Sequence, residues 1–135
     1  MKNRRVSREI ALQVLYQMEF DTALTPVQGL RQYEDHFKND QLSMDYSEKL
    51  INGIKEHQNQ IDETIQKFSI NWKISRMSHV DRNIIRLSIF EMTHLQDEVP
   101  KNASINEAIE IAKKFGSEDS SHFINGILDQ ISKSL

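Results

Sequence analysis

Residues 99–131 read VPKNASINEAIEIAKKFGSEDSSHFINGILDQI, and this stretch decides the fold. Pro100 stops what precedes it, because its ring fixes φ and removes a backbone donor. Ser104 and Glu107 then stand at the spacing of a capping box, which opens a helix. Gly116 is placed to end that helix in the left-handed conformation. A polar loop over 116–120 follows, rich in acids and serines. The last helix carries Phe123, Ile124, Ile127, Leu128 and Ile131, with Asn125-Gly126 inside it. Core packing explains the two helices. It demands neither that loop nor Asn-Gly in a helix that Ala-Ala would favour.

Working backwards, helix signals recur and strand alternation is weak. Ser78 is placed to cap a helix with Asp81 in its favourable first turn. Ile84, Ile85, Leu87, Ile89, Phe90, Met92 and Leu95 surround much of that helix, so it should be central. Ile61, Ile65 and Phe68 mark an earlier helix. Asp45 with Glu48 opens the one before it, which turns Leu50, Ile51 and Ile54 inward. Thr25, Pro26 and Gln28 make a capping box with proline at the first helical position, and Leu30, Tyr33 and Phe37 then point one way. The first helix runs over 6–20, with Ile10, Val14 and Met18 at four-residue spacing and Ala11 and Leu15 beside them. These signals predict an all-α protein of seven helices in one compact domain over residues 1–135, made of an N-terminal and a C-terminal sub-bundle. The polar stretch 39–44 is where the two could part. No period of 20–50 residues repeats, so a solenoid is not expected.

Composition agrees. A length of 135 residues suits one domain with a real core. Two prolines and four glycines argue against a turn-rich β protein. The absence of cysteine removes disulfides, thiolate catalysis and cysteine zinc sites, and fits an intracellular chain. No apolar run approaches the ~20 residues of a membrane span. The start has charges with no apolar core behind them, unlike a signal peptide. A cytoplasmic protein is expected.

The net charge of −3 is unevenly spread. Lys2, Arg4, Arg5 and Arg8 place +4 in the first eight residues, which leaves −7 on the rest. Such a chain repels polyanions generally and attracts them locally. At 100° per residue, Arg5, Leu12 and Tyr16 share one face of the first helix, with Arg8 at its edge. Cations for phosphates beside a ring for splayed bases are what single-stranded RNA recognition uses. Packing of Leu12 and Tyr16 with solvated arginines is the competing reading. Catalytic signatures are missing. The five histidines form no HExxH and no pair at four-residue spacing on one helix. Asp119, Ser120 and His122 are neighbours in sequence only, and no glycine-rich phosphate loop occurs. The residues describe a binding protein with no metal and no cofactor.

Ile105-Asn106-Glu107-Ala108, Phe115-Gly116, Asp119-Ser120 and residues 123–128 (FINGIL) closely resemble the C-terminal motif of the NusB family of transcription antitermination factors. Arg4-Arg5, Arg8-Glu9 and Leu15-Tyr16 resemble the family's arginine-rich start. Tyr46 with residues 50–54 (LINGI) is similar to its third helix. Val80-Asp81-Arg82, Ile85-Arg86-Leu87 and Phe90-Glu91-Met92 are similar to its central one. One departure stands at Lys101, which comes directly after Pro100 and is followed by Asn102. The resemblance implies an all-helical, non-catalytic protein. It would bind single-stranded boxA-type RNA of ribosomal RNA transcripts together with a small-subunit ribosomal protein, called NusE in this role, and act on the RNA polymerase elongation complex. It implies RNA contacts at Arg4, Arg5, Arg8, Tyr16, Lys101, Asp119, Ser120 and Phe123, and partner contacts at Arg76, Asp81 and Arg86. It also allows a homodimer of the free protein. Two other readings stand beside it. One is a protein-only helical scaffold. The other is an accessory domain like those fused to ribosomal RNA cytosine methyltransferases, although this chain shows no nucleotide-binding strand–glycine–helix unit.

Overall fold

The computed structural model describes residues 4–38 and 40–135, so Lys2 and Asn39 lie outside the described residues. Six α-helices and two 3-10 turns account for most of them, and no strand occurs among them. The helices are α1 (Arg4–Phe20), α2 (Pro26–Arg31), α3 (Gln41–Phe68), α4 (His79–His94), α5 (Lys101–Phe115) and α6 (Ser120–Ser134). The all-α expectation holds, but the count is six and not seven. The helices expected around Leu50 and around Ile61 run on in α3, which kinks between them at His57. Only His57, at φ −108° and ψ 17°, leaves the helical region inside α3. Two compact units divide the chain, one up to Glu56 and one from His57 to Leu135. The division falls inside α3, well past the polar stretch 39–44.

In the first unit, the expected stripe of Ile10, Ala11, Val14, Leu15 and Met18 on α1 is buried. The capping box of α2 forms as expected. The Gln28 N–H donates to Thr25 Oγ1 at 3.2 Å, and the Thr25 N–H donates to Gln28 Oε1 at 3.0 Å. Gly29 sits where α2 meets α1, since a Cβ there would stand 2.5 Å from Val14 Cγ1. The start of α3 is held by Asp40, whose carboxylate accepts from the Ser43 N–H and hydroxyl. It is also tied to α1: the Ser7 hydroxyl donates to Ser43 O and the Ser47 hydroxyl to Ser7 O, both at 2.9 Å.

In the second unit, α4 packs against α5 and α6, and these two pack against each other. Every residue of α4 from Arg82 to Met92 is buried, so the expectation of an all-round buried helix holds. Ser78 caps it as expected, accepting from the Asp81 N–H at 3.0 Å. The capping box expected at Ser104 and Glu107 does not form. Helix α5 already begins at Lys101, behind Pro100. Ser104 therefore lies inside the helix, where its buried hydroxyl donates to Glu91 Oε1 at 2.7 Å and meets Ser88 Oγ at 2.9 Å. The break in α3 is matched by a ring stack, with His57 lying 4.1 Å from His94 and 6.3 Å from Phe90 between centroids.

Candidate functional site

The expected site residues fall on both units. On α1, Arg5 is exposed and Tyr16 is 41% exposed, its ring 5.0 Å from that of Phe20. Leu12 departs from that face, because it is only 2% exposed. Arg8 departs as well. It is 5% exposed, where helical spacing had placed it at the edge of an open face. The cause is the start of α3, which is bonded to Ser7 and so covers the adjoining row of α1. The Arg8 guanidinium carbon lies 5.9 Å from the ring centre of buried Tyr46, and that of half-buried Arg4 lies 4.8 Å from the same ring.

The second unit contains a cavity of about 490 Å³, within the usual range for a ligand site. Trp72 and Phe123 supply its rings, and buried Met77 adds a third apolar wall. Arg76, Asp81, Asp119 and Ser120 supply polar groups, with Asn71, Ser78 and Ser117 completing the lining. Arg76 and Asp81 were expected on a partner surface, and Asp119, Ser120 and Phe123 on an RNA surface. The structure brings all five to one cavity.

Each wall is held by its own local chemistry. The segment bearing Trp72 is clamped by Gln66. Its amide oxygen accepts from the Ile74 N–H at 2.9 Å, and its amide nitrogen donates to Ser69 O and Trp72 O. The Ser69 hydroxyl also donates to Trp72 O at 2.7 Å, and Arg82 donates to Ile74 O at 2.9 Å. Opposite stands the loop between α5 and α6. Gly116 there is not left-handed: its φ of −92° and ψ of −174° are extended backbone that any residue adopts. Glycine is needed for space, since a Cβ would stand 2.6 Å from Ser120 Oγ and 2.8 Å from Ala112 O. Ser120 turns back into this loop and accepts from the Ser117 N–H at 2.9 Å. Asp119 occupies the position before α6, yet its side chain makes no capping bond. The cap that its place before α6 would suggest is therefore absent, and the carboxylate stays exposed at the cavity.

Asp81 is the most telling group. Its Oδ1 is buried and has no hydrogen-bond partner among the described residues. A buried carboxylate oxygen left unpaired costs roughly 1–3 kcal/mol or more.

Two expected residues lie elsewhere. Arg86 is buried and donates to both carboxylate oxygens of Asp62, at 2.8 and 2.9 Å, and to Asn83 Oδ1 at 3.1 Å. It is a structural ion pair and not an exposed partner contact. Lys101 reaches the far end of α6, donating to Ser132 O and Leu135 O. At 1.5 Å per residue that end is about 20 Å from the cavity. Asn125 and Gly126 are exposed, and a Cβ at Gly126 would meet nothing within 4 Å. Among the described residues, Gly126 therefore makes room for no neighbouring helix. Trp72 and Gln66 were missed from sequence. The lone tryptophan of the chain, in a polar segment between helices, was the available signal. Among the described residues, no group of three or more His, Asp or Glu side chains could hold a metal ion, and no helix is long and apolar enough to cross a membrane.

Comparison with known proteins supplies a frame. The NusB family model matches residues 5–133. The transcription antitermination protein NusB of Myxococcus xanthus is 42% identical over 139 residues, covering 100% of this chain and 98% of its own. That of Geotalea daltonii is 45% identical over 143 residues, covering 100% and 97%. Among solved structures, T. maritima NusB matches with a TM-score of 0.88 at 38% identity, over 96% of this chain and 90% of that one. A complex of the antitermination factors NusB and NusE with double-stranded RNA contains a chain that matches with a TM-score of 0.87 at 25% identity, over 100% and 99%.

Proposed function

The chain belongs to the NusB family, and from that premise we propose that it binds single-stranded boxA-type RNA of ribosomal RNA transcripts. It does so together with a small-subunit ribosomal protein acting as NusE, and the pair acts on elongating RNA polymerase in the cytoplasm. Its relatives are named transcription antitermination proteins, and in this reading the chain is a binding factor and not an enzyme. Its work is affinity and placement. The observation that carries the RNA reading is the cavity between Trp72 and Phe123 with the unpaired Asp81 Oδ1 beside it. Splayed bases need a ring on which to stack and an acceptor for their exocyclic amino groups, while Arg76 faces phosphate. Exposed Arg5 and Tyr16 supply further RNA contacts on α1. The partner docks at the exposed rim near Arg76, beside the RNA, so one substitution at Asp81 is felt by both ligands. In this reading the partner and RNA contacts at the cavity are neighbours.

The lone tryptophan makes the test direct. Trp72 is 53% exposed at the cavity, so a stacked base quenches its emission. Titration with single-stranded boxA-type RNA, with and without the ribosomal partner, is expected to give saturable quenching that Phe123→Ala weakens. RNA binding seen by mobility shift with Trp72 emission unchanged would remove the cavity from the RNA site.

A further inference from the structure

Two cations of α1 share one aromatic ring. The Arg4 and Arg8 guanidinium carbons lie 4.8 and 5.9 Å from the centre of Tyr46. That ring is 6% exposed, so its attraction for a cation is weakened less by water than at an open surface. Its place is fixed as well. Tyr46 stands between Ser43 and Ser47, the two residues through which α3 is hydrogen-bonded to Ser7 of α1. Like charges one helical turn apart repel, and long arginine side chains lose entropy when held. A buried ring offsets both costs for the pair at once.

We propose that Tyr46 is a positioning residue for RNA binding, a fixed aromatic platform that holds the Arg4 and Arg8 guanidinium groups as one preorganised cationic pair. The inference rests on the RNA reading above. Tyr46 touches no RNA itself. It reduces the ordering that Arg4 must undergo when a phosphate arrives, and preorganisation of this kind raises affinity without a new contact. Arg8, nearly buried, is the inner member of the pair, and half-buried Arg4 is the one that reaches outward.

The test varies the electron density of the ring while keeping its shape. Tyr46→Phe, then mono-, tri- and pentafluorinated phenylalanine at position 46, are compared for melting temperature and for binding of a short labelled single-stranded RNA at several salt concentrations. Tyr46→Phe is expected to bind like the parent. Affinity is expected to fall stepwise with fluorination, reaching about 5–10-fold for the pentafluorinated ring, with a shallower salt slope. In an Arg4→Ala background the same series is expected to be nearly flat. A series that leaves RNA affinity unchanged in the folded protein overturns the proposal and makes Tyr46 a core residue only. So does an equal affinity loss with and without Arg4. Should the fluorinated variants unfold, Tyr46→Phe against Tyr46→Leu decides in the same way on the folded fraction. Failure of the parent itself to bind RNA overturns the underlying reading, and that result is read before any variant is made.

Discussion

At Asp81 two effects on folding oppose each other. Its place in the first turn of α4 favours a negative charge by roughly 0.3–1 kcal/mol. Its buried, unpaired Oδ1 costs roughly 1–3 kcal/mol. The second effect is larger, so Asp81→Ala is expected to raise stability by about 1 kcal/mol in urea unfolding while weakening RNA binding. A loss of stability with RNA affinity intact would make Asp81 a plain helix-start residue. The arginines of α1 separate in the opposite way. Arg8 is buried against Tyr46, so Arg8→Ala should cost about 1–3 kcal/mol of stability. Exposed Arg5→Ala should stay within about 0.5 kcal/mol of the parent and act on RNA affinity alone. Melting and binding measured on the same two variants check this, and the reverse ordering would refute it. Helical spacing could not foresee the difference, because the wheel of α1 knows nothing of the α3 start that covers its Ser7 row.

At the scale of elements, most of the helices were legible and their ends less so. The Thr25–Gln28 box and the Ser78 cap are local chemistry, complete within four residues, and both form as read. Ser104 and Glu107 match the same pattern but stand inside α5, because Pro100 already supplies a helix start and Ser104 is drawn to Glu91 across the core. Tertiary hydrogen bonding outweighed a local signature. Gly116 departs from its expected left-handed role for a related reason, since the space around a residue is not written beside it. Gly116→Ala is expected to destabilise by about 1–3 kcal/mol, because the new methyl meets Ser120 and a backbone oxygen. Gly126→Ala points into open space within a helix and is expected to stabilise by about 1 kcal/mol. Chemical denaturation of the pair checks both signs, and a destabilising Gly126→Ala would mean that an unseen neighbour packs there.

At the scale of the whole molecule, the family and the all-helical class were readable because their carriers are contiguous motifs. The cavity was not. It joins Trp72 and Asp81 to Phe123, which is distant in sequence, and single-sequence spacing carries no information about such an encounter. The charge distribution, in contrast, was open to reading from the start: a basic beginning on a chain of net −3. It gives the account its most direct test. Equilibrium binding of a short single-stranded RNA should be measured across a range of salt concentrations, with duplex DNA of the same length as competitor. Neutralising roughly three to four phosphates on a single strand gives a log–log slope of about −2 to −3. The account predicts that slope together with preference for the single strand. A slope near zero, or equal affinity for the duplex, would contradict it.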